Sequence, residues 1–350
     1  MSRFITHGEP GLLDQVLETL DPTALDSPLL RVGRLIQWNL FESELHRAVL
    51  APAKGPGGRP RLTPLLMFKV LVLQKLHGLA DDATSFQITD RRSFRAFLGL
   101  TPADAVPDGQ TIADFRNALT AAPSFEALFA LFLGQLQARG LALAKEGVMV
   151  DASFVDVPRQ RNTREQNAAI KAGQIPAAFE ADAKVRVHKD GDARWAKKGQ
   201  ETHDGYKNHV KADRRDKLIL AAVVTPASTH DSQTAATWLA VGDGQAWADS
   251  AYASGEIAAD LATKNITGHI CEKGTRGHPL TAEQKAANRE KSKVRARVEP
   301  IFGAITGSLR AHWQRDIGTA RNAASIGLTN LVYNLTRYEQ IVRLKLFPVA

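Results

Sequence analysis

Cysteine is almost missing from this chain: Cys271 is the only one in 350 residues. No intramolecular disulfide can form and no thiolate cluster can hold zinc, so a disulfide scaffold and a cysteine-ligated zinc site are excluded. Long apolar runs are missing too. The most apolar window, Leu65–Leu79, is broken by Lys69, Gln74, Lys75 and His77. It is too short and too charged to span a bilayer, so no membrane partner is expected. The first twenty residues carry Glu9, Asp14 and Glu18 and no apolar core, which does not read as a signal peptide. Internal repeats and low-complexity tracts are also lacking, which excludes solenoids and arrays. What is left is a globular chain of two-domain length, expected in a reducing cytoplasm.

Charge is where the sequence becomes informative. The net charge is +8, but it is unevenly spread. Residues 157–217 hold 15 Lys/Arg against 9 Asp/Glu, and residues 264–297 hold 9 against 3. Two basic segments in a chain that is otherwise slightly acidic form the footprint of a polyanion partner, or else a solvated basic surface.

The periodicity divides the chain near residue 145. Residues 1–145 read as helical, an all-α domain for DNA binding or dimerisation. Leu12–Leu20 and Arg34–Leu50 place apolar residues at helical spacing. Residues 51–61 form a Gly/Pro-rich loop. Thr63 and Pro64 then supply an N-cap and a first-turn proline for a helix that ends near Gly78. Further helices are expected over Ser85–Phe97, after the turn Asp108–Thr111, and over Ser124–Leu136. Short helices joined by tight turns suit a helix-turn-helix reader or plain bundle packing.

From Gly147 the pattern changes. Gly147–Val157 is a β-branched run and predicts a strand. Residues 158–204 lack periodicity and read as a basic excursion, making 157–204 an insertion. Tyr206–Asp213 alternates Lys207, His209 and Lys211 against Asn208, Val210 and Ala212, a strand with one charged face. Leu218–Val224 pairs with it through a tight turn. A helix over 231–241, a strand Gln245–Asp249, a helix Ser254–Lys264, a strand Ile266–Cys271 and interrupted helices from Thr281 follow. Three antiparallel strands and then two helix-to-strand crossovers predict an α/β domain, residues 146–350. Its expected core is a mixed five-stranded RNase H-like sheet with flanking helices.

In that order Asp151 lies on the first strand and Asp249 closes the fourth, and these two strands are neighbours. Functional groups gather at such strand ends. Two close carboxylates repel unless a cation lies between them, and all-oxygen ligation suits Mg²⁺ or Mn²⁺. Glu299, on the closing helix, is the third candidate. Three carboxylates around two ions suit in-line displacement at phosphorus. Competing readings exist for each. Asp249 before Ser250 also fits a turn cap. Asp156 is an alternative to Asp151, although strand parity sets them on opposite faces. Glu283 and Glu290 compete with Glu299, and Glu299 is spaced for an i,i+4 ion pair with Arg295. His230-Asp231 lacks the further histidines of a metal site, so N-capping by Asp231 or Ser232 is expected instead. The tryptophans Trp195, Trp247 and Trp313 read mainly as packing rather than base-stacking groups, although Trp195, among Arg194, Lys197 and Lys198, is placed to meet DNA.

Several stretches together resemble the DDE-class transposases of bacterial insertion sequences, the group typified by insertion sequence five. They are Val150-Asp-Ala-Ser-Phe154, Pro158-Arg-Gln-Arg-Asn-Thr-Arg164, Asp204-Gly-Tyr-Lys-Asn-His-Val210, Thr229-His-Asp-Ser232, Trp247-Ala-Asp-Ser-Ala-Tyr252 and Arg295-Ala-Arg-Val-Glu-Pro-Ile-Phe-Gly303. Arg59-Pro-Arg-Leu-Thr-Pro64 and Asp108-Gly-Gln-Thr-Ile-Ala-Asp-Phe-Arg116 are similar to that family's N-terminal domain. Many motifs in order are far more specific than one. The resemblance implies metal-dependent DNA cleavage at terminal inverted repeats and strand transfer into a target. It implies a triad of Asp151, Asp249 and Glu299 holding two Mg²⁺ or Mn²⁺ ions, with Arg295 preceding the glutamate. Double-stranded DNA is the implied partner, bound by a homodimer in the cytoplasm at the nucleoid. The candidate DNA contacts are Arg159, Arg161, Arg164, Lys197, Lys198, Lys207, Lys211, Lys291, Lys293 and Arg295.

The pattern departs from related transposases at Ser292 and Thr306, where a tyrosine and a basic residue are common. Pro300 also follows Glu299 directly. Proline disfavours helix at the residue before it, so either the helix kinks at Glu299 or a new one opens with Pro300 in its first turn. A transposase-derived DNA-binding protein without catalysis, and a stand-alone RNase H-like nuclease, are the competing functions.

Overall fold

The structure is a computed structural model that describes residues 27–49, 61–122, 124–234 and 239–346. The helix expected over Leu12–Leu20, most of the 51–61 loop, Arg59 and Pro60 of the N-terminal motif, and the middle of the 231–241 helix lie outside the described residues. The chain divides into two compact units, Met1–Leu141 with Leu331–Ala350, and Ala142–Asn330.

The first unit is helical: α1 (Pro28–Leu35), α2 (Glu42–Val49), α3 (Pro64–His77), α4 (Asp81–Asp90), α5 (Arg92–Leu98), α6 (Gly109–Ala121) and α7 (Ser124–Ala138). Local chemistry sets the ends. The Thr63 hydroxyl accepts from Leu66 N at 3.3 Å, Pro64 occupies the first turn, and Gly78 closes α3 in the left-handed conformation. Asp108 caps α6 by accepting from Thr111 N at 2.7 Å. At the other end of that motif, Arg116 forms a two-pronged ion pair with Asp81, at 2.7 and 2.6 Å. Trp38 packs edge to face on Phe68 and Phe97, and Phe41 packs tilted against Trp38 and Phe68. No single helix among the described residues is long and apolar enough to cross a membrane.

The second unit is built on six strands rather than the five expected. These are β1 (Val148–Asp156), β2 (Arg194–Lys198), β3 (Glu201–Asp213), β4 (Ile219–Pro226), β5 (Gln245–Ala248) and β6 (Thr267–Ile270). β3 pairs antiparallel with β1, β2 and β4, while β1–β5 and β5–β6 are parallel. Without β2 the order is β4-β3-β1-β5-β6, the RNase H-like arrangement. The additional strand comes from the basic excursion. Its Arg-Trp-Ala-Lys-Lys sequence has no apolar alternation, because β2 lies at the surface and buries little. Its hairpin with β3 lengthens β3 to start at Glu201 instead of Tyr206.

Parity along β1 separates two cores. Val148 and Val150, with Ala246 and Ala248 of β5, pack against Tyr252, Ile257, Leu261 and Ile266. Val155, with Val157, packs on the other face against Tyr206, Ala193 and Ile326. The Asn208 and Asn330 amides bond reciprocally on that second face, at 2.8 and 3.0 Å. The expected boundary differs at the C-terminus. The last helix, α8 (Thr319–Arg343), was assigned whole to the second domain by its position in the chain, yet its residues from Leu331 on belong to the first unit. There Tyr338 packs on Phe132 and Glu339 pairs with Arg31 at 2.6 Å.

One charged face is not what its alternation suggests. Lys207, His209 and Lys211 are largely enclosed. Lys211 Nζ lies 3.0 Å from both oxygens of the buried Asp243, and Lys207 Nζ lies 2.8 Å from Asp231. Both acids come from loops distant in sequence, and a buried ammonium is tolerated only with such a partner.

Gly205 marks where the strands converge. It pairs with Asp156 and Arg194, and its carbonyl accepts from Ala227 N at 2.9 Å. Its φ is +149°, and a Cβ there would lie 2.4 Å from the Val155 carbonyl oxygen. Backbone cannot yield to that contact. Gly205→Ala is therefore expected to lower the unfolding free energy by more than ~2 kcal/mol in a urea titration. A loss under ~0.5 kcal/mol would show that the convergence is slack.

Candidate active site

Strand register brings the first two acids together. β1 and β5 run parallel with Val148 opposite Ala246 and Met149 opposite Trp247. Asp151 and Asp249 each lie two residues beyond that ladder, and they are near enough for the charge of Asp249 to act on Asp151. Asp156, by contrast, points to the other face, where it meets His203 at 3.2 Å.

Each acid has a local hydrogen bond. Asp151 Oδ1 accepts from Ala152 N at 2.8 Å, and Asp249 Oδ1 accepts from Ala251 N at 2.9 Å, capping the turn Ser250–Tyr252. The capping role of Asp249 is thus present, and it uses only one carboxylate oxygen. Burial raises the pKa of Asp151, its side chain being 15% exposed, and the charge of Asp249 pushes it the same way. The Ala152 amide and the Arg295 and Lys198 cations oppose that rise.

Arg295 is the hub of the site. Its Nη1 donates to Asp151 Oδ2 at 2.9 Å, and its Nη2 lies 3.6 Å from Glu299 Oε1. The i,i+4 ion pair is therefore real and also reaches Asp151, 144 residues away. The helix Ala282–Arg295 tightens into a 3₁₀ turn at Ala296–Val298, and a new helical segment, Glu299–Gly303, opens with Pro300 in its first turn. Val298, Ile301 and Ile305 are buried, whereas the Glu299 side chain, which follows the 3₁₀ turn, is 65% exposed.

No group of 3 His, Cys, Asp or Glu side chains among the described residues converges as a metal cage. The donor chemistry nonetheless fits a hard divalent cation: two carboxylates on adjacent strands, one buried with a raised pKa, and a third tethered to them through a guanidinium. Sequence reasoning passed over Tyr252. Its hydroxyl is buried without a hydrogen-bond partner, and the charges of Asp231, Asp151 and Asp249 all act on it.

The expected phosphate contacts separate into two sets. Arg159, Arg161, Arg164, Lys197, Lys198 and Lys293 are exposed. Lys291 is half-buried and donates to the Ile270 carbonyl at 2.8 Å, and Arg295 is engaged as described. Lys207 and Lys211 are enclosed by their ion pairs and offer no free charge to a phosphate. Asp231, expected as a helix cap, takes the Lys207 ammonium, and His230 is exposed and bonded to Ser232 at 2.8 Å.

The chain was compared with known proteins. A family model described as Transposase DDE domain matches residues 143–335, more than half of the chain. A second, described as Transposase domain (DUF772), matches residues 17–118. Among solved structures, the chain is similar to a piggyBac transposase in a synaptic complex with hairpin DNA. The identity is 11%, with 93% of this chain and 77% of that chain covered and a TM-score of 0.45.

The buried cluster on the opposite face of β3 carries a pH signature. His209 is enclosed, with Nε2 2.9 Å from the Thr225 hydroxyl, and burial lowers its pKa to about 4. A depressed imidazole contributes stability that is present above ~6.5 and lost as pH falls through ~4. His209→Gln is expected to remove that part. Between pH 7 and pH 4 the parent should lose on the order of 2–3 kcal/mol more unfolding free energy than the variant. Parallel pH curves would show that His209 is not held neutral.

Proposed function

The chain belongs to the transposase DDE-domain family, and from that membership we propose that it cuts DNA at terminal inverted repeats and transfers the freed strand into a target. The observation that carries this reading is the β1–β5 register. It supports the pairing of Asp151 with Asp249, two residues past the ladder on each strand, and Arg295 links Asp151 to Glu299. Asp151, Asp249 and Glu299 would hold two Mg²⁺ or Mn²⁺ ions. Those ions would supply Lewis acidity for the attacking and leaving oxygens of a phosphodiester.

The residues of the chain supply everything else. Asp151 and Asp249 are preorganised by the sheet and by the amides of Ala152 and Ala251. Glu299 is exposed and follows a 3₁₀ turn, and it would be the third carboxylate to hold the ions. Arg295 offsets the charge of Asp151. Arg159, Arg161, Arg164, Lys197, Lys198, Lys291 and Lys293 bear on the DNA backbone, and Lys198 is near enough to act on Asp151. The helical first unit would read the repeats, and bringing two element ends together calls for a homodimer on DNA.

A second reading, a transposase-derived DNA-binding protein without catalysis, is favoured by one observation: Glu299 faces solvent and the three acids do not converge. Cleavage assays separate the two. The parent is expected to nick repeat-bearing duplex DNA only with Mg²⁺ or Mn²⁺, and Asp151→Asn, Asp249→Asn and Glu299→Gln to reduce nicking to background. All three should bind DNA without metal as the parent does. Saturating Mg²⁺, at about 100 times its Kd, should stabilise the parent by ~2.7 kcal/mol and leave the aspartate variants unchanged. An Asp249→Asn protein that cuts and joins DNA at the parental rate would refute the assignment. A parent that binds repeats but never nicks them would favour the second reading.

A further inference from the structure

The basic excursion encloses a cavity that the cleavage site does not use. It has a volume of about 460 Å³ and lies between residues 157–161, 188–190 and 315–317. Arg159, Arg161, Lys189 and Arg315 line it, against Asp190 and Asp316. Asp190 is already committed. It accepts from the Tyr206 hydroxyl at 3.0 and 2.9 Å, from Ala193 N at 3.0 Å and from Gly318 N at 3.0 Å. Four cations therefore face the cavity against one carboxylate not held in that way. Lys189 Nζ also donates to the Arg161 carbonyl at 2.9 Å and Asn162 Oδ1 at 2.8 Å, and Arg159 to the Thr202 carbonyl at 3.2 Å, neutral acceptors that leave both charges in place. Arg161 and Arg315 make no ion pair among the described residues.

The two arginines at either end of this set do something further. The Arg159 guanidinium lies 5.5 Å from the centre of the Trp195 ring, and the Arg315 guanidinium lies 5.1 Å from that of Trp313. Both indoles are exposed, by 46% and 40%. Each cavity-lining arginine thus covers one indole, which keeps a large exposed aromatic surface in place without burying it. In the sequence these tryptophans read mainly as packing groups. The structure gives them little to pack against.

Phosphate-binding cations beside exposed aromatic faces are the two parts needed to hold a single-stranded polynucleotide. Duplex DNA hides its base faces in its own stack and cannot use the indoles. We propose that this cavity and its two arginine-backed tryptophans form a cradle for single-stranded DNA. Arg159, Arg161, Lys189 and Arg315 hold backbone phosphates, while Trp195 and Trp313 stack on unpaired bases. The proposal rests on the DNA-cleaving reading above and deepens it: the substrate carries unpaired bases.

The test measures fluorescence anisotropy of the full chain without metal, on a labelled oligo-dT single strand and on a blunt duplex of equal length. Trp195→Ala and Trp313→Ala should each weaken single-strand binding about tenfold while changing duplex binding by less than about twofold. Trp195→Phe and Trp313→Phe keep a stacking face and should restore single-strand affinity, which a mere folding defect would not allow selectively. Arg161→Ala should weaken single-strand binding and reduce its salt dependence. Unchanged single-strand affinity in both alanine variants, or equal losses on the two DNAs, overturns the cradle. A parent that binds and nicks duplex DNA but has no affinity for single strands overturns the cradle alone. A folded parent that binds neither DNA overturns it together with the cleavage reading.

Discussion

Two carboxylates on neighbouring strands cannot both stay ionised and enclosed without positive charge between them. That constraint organises the second unit. The sheet forces Asp151 and Asp249 together, burial raises the pKa of Asp151, and Arg295 arrives from a helix far along the chain to offset the repulsion. The guanidinium is a replaceable counterion, since Glu299 shares it only at 3.6 Å and is itself exposed.

The opposite face of the sheet solves the converse problem. Lys207, His209 and Lys211 carry positive charge into the interior, and Asp231 and Asp243 meet it from loops. Such buried pairs add little net stability compared with apolar residues, but breaking one is costly. They tie the loops before and after the 231–241 region to β3, on the side from which Asp231 also acts on Tyr252 beside the acids. The two faces therefore carry mirror-image electrostatics, acids seeking a cation on one and cations satisfied by acids on the other.

Much of this was legible in the sequence where the signal was local. β1, β5 and β6, the Thr63-Pro64 and Asp108 caps, and the helix at Gly255–Thr263 all follow from residue type and spacing. So do the adjacency of Asp151 and Asp249 and the opposite face of Asp156, because strand parity and sheet order are simple geometry. β2 was not legible, because Arg194–Lys198 is an exposed strand that needs only the edge of β3 and no apolar pattern. The charged alternation on β3 was legible as alternation but not as burial, because Asp231 and Asp243 are remote. The exposure of Glu299 was equally hidden, since it follows a 3₁₀ turn that only Pro300 hints at.

By itself the sequence determined the family, through a run of motifs in order, and put forward Asp151, Asp249 and Glu299 as candidate acids. It also determined the strand-helix order from which an RNase H-like sheet follows. Tertiary structure alone decided which charges are free and which are spent. Arg295 is committed to Asp151 and Lys211 to Asp243, while Arg159 and Arg315 lie over exposed tryptophans and pair with no carboxylate among the described residues. The reason is physical. Strand parity and capping act over a few residues and leave a local trace, whereas charge neutralisation acts through space between residues that may lie more than a hundred positions apart.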